Sequence, residues 1–103
     1  MSKIHMMAIY QVKEDKVDEV IIAVSEFINA VKENEPGTLF YESYQGKGDL
    51  SFFHLMTFEN KVAEELHRQT PHMRTFELKL YPNCEDEPGV VELTLLGSNV
   101  RGT

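Results

Sequence analysis

"TLFYESYQGKGDLSFFHLMTF", residues 38–58, decides the fold. Two runs rich in aromatic and β-branched residues, 38–45 and 50–58, are separated by Gly-Lys-Gly-Asp, whose glycines and aspartate suit a hairpin connection. The two runs are therefore expected to pair antiparallel. In the second, Leu50, Phe52, His54, Met56 and Phe58 point one way while Phe53 and Leu55 point the other, so it is apolar on both faces. A strand of that kind belongs at the centre of a sheet.

Upstream, "IHMMAIYQV" at 4–12 is also apolar on both faces, with Ile4, Met6, Ala8 and Tyr10 on one and Met7 and Ile9 on the other. Between these strands Val17, Val20, Ile21, Val24, Phe27, Ile28 and Val31 recur at the spacing of an amphipathic helix. Glu14, Asp15, Asp18 and Glu19 suit the positive end of its dipole, and Pro36-Gly37 stops it near Asn34. Downstream, "ENKVAEELHRQ" reads as a short helix with Asn60 as N-cap, Val62 and Leu66 stacked on its apolar stripe, and Ala63 and His67 beside them. Thr70 and Pro71 are a good N-cap and first residue for a third helix carrying Met73, Phe76 and Leu80 inward and ending near Tyr81-Pro82. "VVELTLLG" at 90–97 has the composition of a last strand, and 98–103 form an aperiodic tail.

The order is β-α-β-β-α(α)-β over residues 1–97, an α+β, ferredoxin-like split βαβ domain in which helices cover one face of a four-stranded antiparallel sheet. Because the strands are apolar on both faces, the uncovered face calls for a partner, and a sheet-to-sheet homodimer, a dimeric α/β barrel, is expected.

Composition narrows the function classes. A chain of 103 residues makes one domain, and its net charge of −7, spread along the sequence, offers no basic stripe for nucleic acid or for an anionic membrane surface. No apolar run approaches the roughly 20 residues that span a bilayer. The single cysteine, Cys84, gives no intramolecular disulfide framework, and its acidic loop should raise its pKa. No basic segment followed by an apolar one opens the chain, so a soluble cytoplasmic protein is expected.

Three segments resemble the antibiotic biosynthesis monooxygenase family. "EPGTLFYES" is similar to that family's E-x-G-x-x-x-Y segment, "FENKVAEELH" follows the third element as it does there, and "HRQTPHMRTF" at 67–76 is similar to its H-x-x-S/T-x-H-F signature. The resemblance implies a dimeric α+β barrel and a place among quinol and phenol monooxygenases, haem-degrading oxygenases and proteins acting on small signalling or isomerisable molecules. His67 stands where the haem-degrading branch has a tryptophan, and Glu77 and Lys79 stand in the region of that branch's haem ligand, which argues against haem degradation. Met56 replaces a frequent acidic residue, and Met73 follows the second histidine where phenylalanine is favoured.

The resemblance implies oxidation of a small aromatic, quinol or enolisable substrate by molecular oxygen with no cofactor. Such chemistry needs an apolar, water-poor pocket and removal of one proton. His67 and His72 are the candidate catalytic residues, with Tyr41, His54, Tyr10, Phe53 and Phe76 as candidate substrate contacts. His67 falls at the negative end of its helix and His72 at the positive end of the next, which would separate their pKa values and make His72 a neutral base and His67 a donor to a substrate oxyanion. Two plainer alternatives stand beside this. The histidines could fill space at a helix junction, or bind a metal with His54 or Glu64, although their five-residue spacing across a proline departs from the i, i+4 pattern, so no metal is expected. Tyr44 falls on the face opposite Tyr41, His5 reads as a strand-edge residue, and Glu35 and Glu42 as solvated or turn residues. A non-catalytic ligand-binding or stress-response module and an isomerase are the competing functional classes.

Overall fold

The computed structural model describes residues 2–101. The elements are β1 (Ile4–Gln11), α1 (Val17–Asn34), β2 (Thr38–Gln45), β3 (Ser51–Phe58), α2 (Lys61–Arg68), α3 (Pro71–Leu80) and β4 (Gly89–Leu93), with 3-10 turns at Glu14–Lys16 and Tyr81–Asn83. They form one antiparallel sheet in the order β2-β3-β1-β4. The fold is the α+β, ferredoxin-like arrangement, and β1 and β3, apolar on both faces, are its central strands.

Register divides the side chains into two sets. Tyr10 pairs with Phe52, Ala8 with His54 and Met6 with Met56, and across β2 and β3 Tyr41 pairs with Met56, all facing the helices. The core lies there, where Tyr10, Phe52, Phe27, Val20, Val24, Val31, Phe76 and Leu80 pack together. The other face carries His5, Met7, Ile9, Phe40, Tyr44, Phe53, Leu55, Val91 and Leu93, with Ile9, Phe40, Tyr44, Val91 and Leu93 exposed. His5 is on a central strand, not an edge, and its Nδ1 bonds Thr57 Oγ1 across that face at 2.9 Å.

Several elements differ from expectation for identifiable reasons. β4 ends at Leu93, opposite His5, because β1 begins at Ile4; residues 94–97 run past the end of their partner and form no strand. In α1, Ala23 is buried while Ile21 is exposed, because the inward stripe is centred on Val20, Val24, Phe27 and Val31. In α2 the stripe is rotated. Val62 and Leu66 are exposed, whereas Glu64 and His67 are buried. The rotation follows from close packing at Gly37, where an added Cβ would lie 2.7 Å from Ala63 Cβ, so α2 approaches β2 along Ala63 and His67. Asn60 and Thr70 cap α2 and α3 as expected, accepting from Ala63 N at 2.9 Å and from Met73 N at 3.1 Å.

Cys84 is buried and bridges Val12. Its pKa is raised, as expected, but by burial rather than by carboxylates, with Lys13 opposing. Of the 98–103 tail, residues 102–103 lie outside the described residues, and 94–100 form neither helix nor strand. Among the described residues no helix is long and apolar enough to cross a membrane.

Because any Cβ at position 37 must push β2 and α2 apart, Gly37→Ala should lower unfolding stability by about 1–3 kcal/mol. Urea denaturation of the variant checks this, and unchanged stability would show that Ala63 can give way.

Candidate active site

Between the sheet and the helices lies a cavity of about 450 Å³. Met6, Met56, Phe58, Met73 and Phe76 make its wall mostly apolar, Glu64, Arg68 and Glu77 add charged groups to it, and Tyr10, Tyr41 and His67 bring neutral polar ones. Two hydrogen-bonded clusters hold those polar groups.

Glu35 organises the first cluster. Helix α1 ends at this residue, whose backbone N–H donates to Val31 O at 2.9 Å, and Pro36-Gly37 then turns the chain into β2. Its side chain is only 7% exposed. Thr38 Oγ1 donates to Oε1 at 2.6 Å, His67 Nδ1 lies 2.7 Å from the same oxygen, and His72 Nε2 bonds Oε2. Burial pushes the carboxyl pKa up, but the bonds from Thr38, His72 and His67 outweigh it and hold the group below its ordinary value. A carboxylate at the negative end of a helix is disfavoured by the dipole, so these donors are what make its position tenable. Glu35 does stand at a turn, as one half of the expectation had it, but its side chain is not solvated.

The histidines thus lie on either side of the helix break and share one anion. His67, in the last turn of α2, reaches the cavity, while His72, in the first turn of α3, lies against a shallow depression with Glu26, Thr75 and Lys79. With Nδ1 on Glu35, His67 presents Nε2, which makes no hydrogen bond within the described residues. No fully buried side-chain nitrogen or oxygen among them lacks a partner, so this atom is not fully buried.

His54, 1% exposed, centres the second cluster. Its Nε2 lies 2.7 Å from Tyr10 Oη and its Nδ1 lies 2.6 Å from Tyr41 Oη, so three strands are tied by one imidazole. Burial, with a smaller contribution from His67, pushes its pKa down to about 4, and the ring is neutral at physiological pH. Burial likewise raises both tyrosines, keeping them protonated.

Of the candidate contacts, Tyr10, Tyr41 and Phe76 line the cavity, and His54 stands behind the two tyrosines. Phe53 does not belong with them. It pairs with Ile9 and Tyr44 on the opposite face of the sheet, because strand alternation turns it away from His54. The residue passed over was Glu35, the first position of the E-x-G-x-x-x-Y segment. Among the described residues no group of three or more His, Cys, Asp or Glu side chains is arranged to hold a metal ion.

A family model described as antibiotic biosynthesis monooxygenase matches residues 3–78, from β1 through most of α3. The chain belongs to this family. No protein with a curated description matches it. Solved structures of similar fold include a candidate monooxygenase of the antibiotic biosynthesis monooxygenase class from Caulobacter crescentus CB15, 22% identical, covering 92% of this chain and 91% of its own with a TM-score of 0.86. Rv0793 from Mycobacterium tuberculosis is 16% identical, with 96% and 100% covered and a TM-score of 0.86. A conserved protein from Methanosarcina mazei Go1 is 21% identical, with 90% and 92% covered and a TM-score of 0.83. These likenesses show that the antibiotic biosynthesis monooxygenase fold extends over nearly the whole chain.

The neutral His54 makes stability depend on pH. Its folded pKa of about 4 lies below the ordinary 6.5, so between these values the unfolded chain binds a proton that the folded one refuses. Stability present above pH 6.5 is therefore lost as the pH falls towards 4. Urea denaturation across this window should show a slope from His54 of up to about 1.4 kcal/mol per pH unit, smaller in His54→Gln. Equal slopes in the two proteins would mean that His54 is protonated in the fold.

Proposed function

We propose that the protein is a monooxygenase that oxidises a small phenolic, quinolic or enolisable aromatic substrate with molecular oxygen and no cofactor, using His67 as the base. The observation that supports this most is His67 itself, which lines a mostly apolar cavity, is bonded through Nδ1 to a nearly buried carboxylate, and has no hydrogen bond at Nε2 among the described residues. With Nδ1–H donating to Glu35, the neutral ring keeps its lone pair on Nε2, the arrangement by which a carboxylate fixes the tautomer of a general base. Glu35 is then a positioning residue. His72, farther from the cavity, holds the other carboxylate oxygen and fixes Glu35 in turn. These roles reverse the dipole-based assignment, because a direct bond to an anion outweighs a helix end.

The chemistry requires little more. A phenol of ordinary pKa about 10 loses its proton to His67, and the apolar walls leave the phenolate poorly hydrated and electron-rich. Triplet oxygen reacts slowly with closed-shell neutral molecules, but a phenolate can give it one electron, after which the two radicals join through a carbon–oxygen bond. Cleavage of the resulting peroxide leaves one oxygen atom on the substrate and releases the other as water. For a hydroquinone, quinol plus oxygen gives hydroxyquinone plus water, and the substrate supplies every electron.

We also propose that a second copy of the chain covers the open sheet face. Ile9, Phe40, Tyr44, Val91 and Leu93, drawn from three strands, make it broad and apolar, with Phe53 and Leu55 between them. Light scattering after size exclusion should give twice the chain mass, and Phe53→Asp should shift it to the monomer. A monomeric wild-type protein at micromolar concentration would refute the dimer.

For the reaction, an oxygen electrode with a panel of hydroquinones and anthrone-like phenols should show one oxygen consumed per substrate. His67→Ala should lower kcat by about 10²–10⁴-fold. Glu35→Gln should lower kcat by about tenfold or more with little change in KM. Oxygen uptake that survives in His67→Ala would remove the base from the account, and turnover at the same rate under nitrogen would point to isomerisation.

A further inference from the structure

The hydrogen-bond arithmetic of the Tyr10, His54 and Tyr41 cluster does not close. Each ring nitrogen of His54 faces one phenol oxygen, and neither tyrosine hydroxyl has any other hydrogen-bond partner among the described residues. A neutral imidazole carries one N–H and one lone pair. The tyrosine on the lone-pair side donates to the ring, and the tyrosine on the N–H side accepts from it. The accepting tyrosine therefore keeps an O–H proton that nothing in the cluster takes. There are three protons for two contacts.

An unpaired buried donor costs about 1–3 kcal/mol, so such a proton is held at a disadvantage until an acceptor arrives. Both tyrosines line the central cavity. The Tyr41 ring lies 5.8 Å from that of His67, so its hydroxyl end and the proposed base belong to one neighbourhood. We infer that Tyr10, His54 and Tyr41 form a tautomeric relay whose one spare O–H proton is a hydrogen-bond donor to the phenolate or enolate oxygen of a ligand in the cavity. Which tyrosine presents it depends on the tautomer of His54. With the proton on Nε2 the ring donates to Tyr10, and Tyr10 offers its own hydroxyl to the cavity. With the proton on Nδ1, Tyr41 does so. Both end states are neutral, and passing from the first to the second takes the Tyr41 proton to Nδ1 and the Nε2 proton to Tyr10, while Tyr10 gives its free proton to the ligand or water in the cavity and Tyr41 takes one back from it, so the proton count and the charge close only through the cavity.

The inference deepens the reading of a phenol-type substrate. It states that the cavity selects ligands by an oxygen that accepts a hydrogen bond beside a base. It also predicts redundancy. In Tyr41→Phe, an N–H on Nδ1 would face a hydrocarbon, so the ring should protonate at Nε2 and Tyr10 should become the permanent donor. In Tyr10→Phe the proton should settle on Nδ1 and Tyr41 should take over.

The test is equilibrium binding of 4-nitrophenol, followed by its phenolate absorbance under nitrogen, to wild type, both single variants and the double variant. Each single variant should bind within about threefold of wild type, and the double should lose about tenfold or more, as expected for removal of a hydrogen bond to a charged oxygen. A single variant as weak as the double would mean one fixed donor, and a double as tight as wild type, or no binding to wild type, would mean no such subsite. Should the double variant not fold, imidazole ¹⁵N shifts of His54 in the single variants decide: Nε2–H in Tyr41→Phe and Nδ1–H in Tyr10→Phe support the relay, and one tautomer in both overturns it. If the binding pattern holds while no oxygen is consumed, the relay stands and the oxygenase reading falls.

Discussion

A carboxylate that is nearly sealed from water must be paired, and Glu35 meets that requirement by drawing four elements to one point. It ends α1, accepts from Thr38 at the start of β2, and receives His67 from α2 and His72 from α3. The break between α2 and α3 is what allows this. Thr70 caps and Pro71 starts a new helix, so the two imidazoles come from different helix ends and reach separate oxygens of the same anion. Without Glu35 the rotation of α2 that buries His67 in place of Leu66 would leave a buried imidazole with an unpaired Nδ1.

The polar interior is divided between an anionic cluster and a neutral one. Glu35 is stabilised as a charge by three donors, whereas His54 is stripped of charge by burial and by the neighbouring His67. Aromatic rings hold the two apart. Phe27 stacks on Phe76 with centroids 4.5 Å apart and also touches His67, His72 and Tyr41. On the proposed reading one cluster takes a proton and the other offers a hydrogen bond, and both adjoin the same mostly apolar cavity. That combination is what a protein needs in order to make and hold an aromatic oxyanion away from water.

The fold was legible because its signals are local. Strand alternation in 50–58, the helical period of 17–31, and the Asn60, Thr70 and Pro71 caps each act within a few residues, and all appear where those rules place them. What was not legible depended on contacts distant in sequence. Period alone put Val62 and Leu66 inward, but the meeting of Ala63 with Gly37, in the turn before β2, rotates the helix instead. Glu35 read as a turn residue because its partners lie 32 and 37 positions away. The tie from Tyr10 to His54 spans 44 positions and crosses strands that only register brings together. Alternation put Tyr41 and Tyr44 on opposite faces and the E-x-G-x-x-x-Y segment pointed to Tyr41, whereas the same alternation turns Phe53 away from the cavity once His54 is known to face the helices.

On the proposed reading Glu35 fixes His67 with its proton on Nδ1 and its lone pair free for a substrate. Long-range ¹H–¹⁵N correlation spectra of histidine-labelled protein read that directly. The neutral ring of His67 should show the Nδ1–H tautomer in wild type and lose that preference in Glu35→Ala. A neutral ring protonated at Nε2 in the wild-type protein would offer a donor in place of the base and would rule out His67 in that role.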